Sequence, residues 1–279
     1  MGPFSSCRSM IIALALTALA RPVAAAAEPA QVPAAAAAAE SPAELVKRSV
    51  AAHRLTDERE DRTMRIAAMS GDAKERQITV WSMTTPDGRS KSLARFTSPH
   101  DVEGTAILTW EGQAGQAGDQ WFFLPALRKA KRVASGGRRV RFMGTDFAYE
   151  DLAPEDPSAW TYASAGEGDV DGAPCWLVDA TPASASLDTG YSKRRLSIRK
   201  DNLYIVRREL FDSAGKLAKV QSDRKLVQVA GSAWRADEIT MEDKGAGTST
   251  VLTIRGREHG KGLKEDMFTT AALEAGQDF

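Results

Sequence analysis

The chain of 279 residues is poor in cysteine and histidine, with two of the first and three of the second, and it has no net charge because 37 Lys+Arg face 37 Asp+Glu. Each shortage excludes something. Cys7 precedes an apolar run at residues 10–20 and leaves with it if that run is cleaved as a signal. Cys175 then stands alone, no intramolecular disulfide can form, and the fold has to hold by packing. Its setting, APCWLVDA, suits a buried inert thiol better than a nucleophile. His53, His100 and His259 lie far apart with no partner at metal-ligand spacing, so no zinc signature is visible and each reads as a lone surface side chain. Charge balance removes any global electrostatic argument for nucleic acid, and attraction to an anion has to be local.

Recognisable chemical motifs are missing as well. No nucleophile elbow, phosphate-binding loop or dinucleotide fingerprint follows a strand. The acidic segment GEGDVDG, residues 166–172, lacks the later bidentate acid of an EF-hand and reads as a hairpin turn. Glu150, Asp151, Glu155 and Asp156 have the chemistry of an acid/base pair, but a capped helix end accounts for them equally well. No catalytic residue, metal or cofactor is expected. Long hydrophobic runs are absent too: residues 10–20 fall short of the roughly 20 needed to cross a bilayer. With Arg8 before that run and small residues Ala24 to Ala27 after it, residues 1–27 read as a secretory signal peptide. Residues 28–40, EPAQVPAAAAAAE, have no large side chain to bury and read as a disordered linker. Residues 41–279 remain as one domain.

That domain opens with SPAELVKRSVAAHR. Ser41 and Glu44 have capping-box spacing, Pro42 takes the first helical position, and Leu45, Val46, Ser49, Val50 and His53 recur on one face, which predicts a helix. From Arg62 onward the pattern changes to a dozen or so short runs of period two, separated by turn signals such as PDG, SGG and SAG. The expected fold is mainly β (α+β): a meandering antiparallel sheet so long that it curls into an incomplete barrel. A short mid-chain helix at residues 145–152, capped by Thr145 or Asp146, is expected as a plug or lid, and TTAALEAG forms a last turn.

The most informative stretch is GDQWFFLPALRKAKRVASGGRRVRFMGTDFAYEDL, residues 118–152. In WFFLP, Trp121 and Phe123 point to one face of a strand and Phe122 and Leu124 to the other, so both faces need cover. One set is expected to line an apolar cavity, with Phe142, Met143, Phe147, Tyr149 and Leu152 as its lid; the alternative is that both are plain core. Arg128, Lys129, Lys131, Arg132, Arg138, Arg139 and Arg141 are expected on two antiparallel strands around SGG, converging into a basic patch for anionic headgroups or an acidic partner. The alternative is a solvated face neutralised by Glu150, Asp151 and Glu155.

WFFLPALRKAKRV followed by FMGTDFAYEDL closely resembles the signature of the outer-membrane lipoprotein-sorting protein family, LolA-like periplasmic carriers that accompany RND-type membrane transporters. RFTSPHDVEGTAIL and LKEDMFTTAAL resemble its flanking motifs, so the likeness spans roughly residues 41–273. It implies a strongly curved, incomplete β-barrel closed by helices, an apolar cavity for lipid, acyl chains or a lipoprotein, a periplasmic location, and an inner-membrane RND-type transporter as partner. It implies no catalytic residue. A filled, non-catalytic adaptor that docks a protein is the second expectation, and an enzyme acting on a lipid ester the weakest.

Overall fold

The computed structural model describes residues 40–67, 71–113 and 118–275. The expected signal peptide, and the expected linker up to residue 39, lie outside the described residues. Helix α1 (Pro42–Ala52) forms as its pattern predicts: Ser41 Oγ accepts the Glu44 N–H at 3.2 Å, and Pro42 sits in the first turn. Such a cap stabilises a helix by about 1 kcal/mol. The helix buries Leu45 and Val46 against Val178, Leu196, Ile198 and Ile205. Ser49, on the same face, donates to the Leu203 carbonyl at 2.7 Å, so no polar group is stranded there.

The strands β1 (Asp57–Ala67), β2 (Ala73–Thr84), β3 (Ser90–Ser98), β4 (Ala106–Trp110), β5 (Asp119–Leu124) and β6 (Lys129–Arg132) follow one another as a meander. A second meander comprises β7 (Trp160–Val170), β8 (Ala173–Pro182), β9 (Lys193–Arg199), β10 (Ile205–Phe211), β11 (Leu217–Ala230), β12 (Ala233–Asp243) and β13 (Thr248–His259). Together they make one antiparallel sheet of 13 strands in the order β6-β5-β4-β3-β2-β1-β13-β12-β11-β10-β9-β8-β7. Among the described residues, the β1–β13 pair alone joins strands that are not consecutive in the chain. Residues 133–159 therefore carry the chain from one edge strand, β6, to the opposite edge strand, β7. They do so across one face of the sheet.

Strand alternation decides what lies on each face. Ile78, Phe96, Ile107, Met241 and Leu252 turn toward the crossing segment and bury its Phe142 and Phe147. Their neighbours Trp81, Leu93, Leu108 and Phe123 turn the other way, onto Met267, Phe268 and Leu273. Those last residues belong to the 3-10 turn Glu265–Phe268 and helix α2 (Thr270–Glu274) at the C-terminus. Both faces of the WFFLP strand are thus covered, one by the crossing segment and one by the C-terminal turn and helix. Turn chemistry is local: β7 and β8 are joined by Asp171 and Gly172, both with left-handed φ (51° and 82°), as a two-residue hairpin requires.

Several expectations need correction. The basic segment is not a pair of strands: Lys129–Arg132 is β6, but Gly137–Arg139 is a 3-10 turn and Arg141 makes only an isolated bridge to Ala148. Gly136, at φ 81°, turns the chain out of the sheet. The mid-chain helix shrinks to the 3-10 turns Phe142–Gly144 and Tyr149–Leu152, because Thr145 and Asp146 bind elsewhere instead of capping. Strand β1 begins at Asp57, not Arg62, since Asp57, Glu58 and Glu60 are buried. Most of GEGDVDG is strand, with only its last two residues in the turn. His53 is half-buried, not a surface side chain: its Nδ1 accepts the Trp234 N–H at 3.1 Å.

Candidate functional site

On the face crossed by residues 133–159, Phe122 of β5 meets two rings of the crossing segment edge-on, Phe142 at 6.5 Å and Tyr149 at 6.0 Å between centroids. Phe142 and Tyr149 meet each other edge-on at 5.3 Å, and Phe142 stacks on Phe96 at 5.7 Å. Edge-to-face contacts of this kind add about 0.5–1.5 kcal/mol each beyond the area they bury. Met143 and Leu152 pack against the same cluster. Phe147 is buried within it. Trp121 lies on the other face, edge-on to Trp110 at 4.7 Å, with Phe123 beside it; Leu124 is half-buried and joins neither cluster's core. Of the two candidate sets, Phe122 is the member that faces the crossing segment.

Polar contacts hold that segment at both ends and on several strands. Arg76 of β2 donates to the Met143 carbonyl at 2.7 Å, and Gln120 of β5 donates to the Tyr149 carbonyl at 2.8 Å. Asp146 is buried on β13, where it accepts from Thr248 at 2.5 Å and Thr250 at 2.7 Å, while Arg141 bridges it at 3.3 Å and Asp243 at 2.5 Å. Glu150 accepts from the Thr189 hydroxyl at 2.6 Å and the Gly190 N–H at 2.9 Å. Asp151 accepts from the Tyr191 hydroxyl at 2.8 Å and Lys219 at 3.1 Å. Burial pushes the Glu150 carboxyl up, against the pull of these donors. Burial likewise pushes the Tyr149 phenol up.

The cations expected to form one patch separate into two groups. Arg128, Lys129 and Lys131 are exposed, with no ion pair or side-chain hydrogen bond among the described residues. The others are engaged within the molecule. Arg132 pairs with Asp119, Arg139 with Asp188 at 3.2 Å, and Arg141 with Asp146 and Asp243. Arg138 is buried and donates to the Gly118 carbonyl at 2.5 Å. The acids offered as neutralisers of the hairpin go elsewhere, Glu150, Asp151 and Glu155 pairing with Arg194, Lys219 and Arg208.

Their partners Arg194, Arg208 and Lys219 were missed from sequence. A cavity of about 190 Å³ lies beside residues 150–155, lined by Glu150, Glu155, Arg194, Arg208, Leu210 and Gln221 among others. Leu210 also belongs to the apolar cluster around Phe142, so polar pocket and apolar packing adjoin. The signal was strand alternation: on β9, Arg194 shares the buried face of Leu196 and Ile198, and on β10, Arg208 shares that of Leu210. Nearby, the buried Tyr162 hydroxyl has no hydrogen-bond partner among the described residues, and burial together with Glu155 pushes its phenol far up.

Comparison with known proteins agrees with this geometry. A family model described as an uncharacterized protein matches residues 88–275. No curated protein matches the chain. The structure of an outer membrane lipoprotein-sorting protein domain from Vibrio parahaemolyticus aligns at 27% identity and TM-score 0.79, covering 83% of this chain and 97% of that one. A DUF1329 family protein from Desulfovibrio piger aligns at 26% identity and TM-score 0.78, covering 84% and 100%. A LolA superfamily protein from Nitrosomonas europaea, at 19% identity and TM-score 0.66 over 84% and 100%, shares the fold. The chain thus belongs to the family whose model spans residues 88–275, and its mainly β fold is that of the LolA superfamily and its outer membrane lipoprotein-sorting relatives.

Proposed function

We propose that this chain is a periplasmic carrier that holds lipid, acyl chains or a lipoprotein on the apolar face crossed by residues 142–152, and works with an inner-membrane RND-type transporter. Residues 1–27 act as the signal peptide, residues 28–40 as the tether and residues 41–279 as the carrier domain. The sheet curls into an incomplete barrel around the crossing segment. Adjacent residues support this: Tyr149 is bonded by Gln120 of β5, whereas Glu150 is bonded by Thr189 and Gly190, between β8 and β9. At about 4.8 Å per strand, a flat sheet would hold β5 and β8 tens of ångströms apart.

The observation that carries the reading is the aromatic cluster of Phe122, Phe142 and Tyr149 within the apolar face. An acyl chain crossing an aqueous compartment costs about 0.8 kcal/mol per exposed methylene, so a carrier has to offer an apolar wall in place of the bilayer. Phe122 is that wall, and Phe142, Met143, Phe147, Tyr149 and Leu152 form a plug that cargo displaces, with Gly144 (φ 75°) at its turn. Trp121 and Phe123 support the wall from behind, and Leu124 follows Phe122 on the strand face that bears the wall. Arg128, Lys129 and Lys131 are the cations free to meet anionic headgroups or an acidic face of the transporter.

One observation favours a second reading. The plug fills the apolar face and is bonded through Asp146, Glu150 and Asp151, which suits a non-catalytic adaptor with a packed core. A fluorescent fatty acid separates the two. The carrier binds it saturably and releases it to extracted lipid; an adaptor gives no binding at any probe concentration below micelle formation.

A further inference from the structure

We propose that Arg194 and Arg208 form a binding site for a phosphate-bearing headgroup beside the apolar face. This rests on the carrier reading and names the class of lipid carried.

The two guanidinium groups are half-buried yet unspent. Their side chains are 15% and 22% exposed, and neither makes a hydrogen bond among the described residues. Their ion pairs are long: Arg194 to Glu150 at 3.7 Å and to Glu155 at 3.8 Å, Arg208 to Asp223 at 3.7 Å and to Glu155 at 4.0 Å. Every other ion pair among the described residues is 3.4 Å or shorter. An arginine buried for structure alone spends its donors, as Arg257 does on Glu60 at 2.6 Å, Asp237 at 2.9 Å and the Ala236 carbonyl at 3.0 Å.

The geometry suits a tetrahedral oxyanion. Glu155 Oε2 lies within 4.0 Å of both guanidinium groups, so one ligand group reaches both. Arg194 lies over the Trp160 ring at 4.0 Å, a contact that orients its planar fork. Glu150 and Asp151 are already satisfied by Thr189, Gly190, Tyr191 and Lys219, and Asp223 by Tyr204 and Gln221. Two cations and Glu155 remain facing the cavity. Glu155, its side chain 10% exposed, keeps Oε1 without a hydrogen-bond partner among the described residues. It offers an acceptor for a hydroxyl or ammonium on the same headgroup. Leu210, shared by the cavity and the apolar cluster, marks where an attached chain would leave toward Phe142 and Phe147.

The test titrates the intact mature protein with three probes: a lysophosphatidylethanolamine below its micelle concentration, an alcohol of equal chain length, and inorganic phosphate. The proposal expects the phospholipid to bind at least about tenfold tighter than the alcohol, and that preference to fall below about threefold in Arg208→Gln. Arg194→Gln serves as a second variant, with circular dichroism to confirm that each is folded. Equal binding of phospholipid and alcohol overturns the site while leaving the carrier reading standing. Phospholipid binding without alcohol binding upholds the site and contradicts an apolar carrier wall. Inorganic phosphate binding as tightly as the phospholipid overturns the headgroup assignment in favour of free phosphate, and an unchanged preference in folded Arg208→Gln overturns the role of the arginines.

Discussion

Glu150 is buried where the crossing segment meets residues 189–190, and burial pushes its carboxyl above the ordinary glutamate value of 4.5. The folded chain then keeps a proton that the unfolded chain has released, so this residue makes stability fall as pH rises from 4.5 through the raised value. In Glu150→Gln that slope should flatten; melting temperatures of both proteins across the interval check it. Exposed cations behave differently. Reversing Arg128, Lys129 and Lys131 to glutamate should weaken association with anionic vesicles by about 1 kcal/mol per residue, with the effect shrinking at high salt, and leave the melting temperature nearly unchanged. Arg138→Ala should instead destabilise the fold by about 1–3 kcal/mol, because its guanidinium is buried on the Gly118 carbonyl. Sequence placed all these cations in one class. What separates them is contact with distant acids and carbonyls, Asp188 for Arg139 and Asp243 for Arg141, which lie far off along the chain and leave no local pattern.

Among elements, α1 and β5 were legible because their patterns are local: a cap with a 3.6-residue stripe, and an apolar run that has to be covered on both faces. The start of β1 was not, since DERED looks like a solvated loop. Its carboxylates are buried through partners from elsewhere in the chain, Glu58 with Arg235 at 2.9 Å, Glu60 with Arg257 at 2.6 Å, and Asp57 with the Lys261 and Gly262 N–H groups. The mid-chain helix failed for a related reason. Its presumed cap, Asp146, is taken by Thr248 and Thr250 of β13, which leaves only 3-10 turns. Asp146→Ala removes the acceptor of both hydroxyls and should destabilise the protein by about 1–3 kcal/mol in urea unfolding. Under the carrier reading the same change frees the plug, so amide exchange over residues 142–152 should accelerate and acyl-probe affinity rise. A packed adaptor would show the lost stability without any gain in binding.

For the whole molecule, the run of alternating segments pointed to one antiparallel sheet, and the 13-stranded meander bears that out. The pairing of β1 with β13 was beyond local reading, as was the passage of residues 133–159 between the two edge strands, because each depends on where distant ends meet. That passage lays the aromatic segment on the apolar face and sets it beside the Arg194 and Arg208 cavity. The measurement that bears most directly on the carrier account is native mass spectrometry of the protein purified, without detergent, from the periplasm of cells that make it. The account predicts a species heavier than the bare mature chain by the mass of a lipid or an acylated group, returning to the bare mass on extraction with organic solvent. A single species at the bare mass, unchanged after incubation with lipid vesicles, would contradict it.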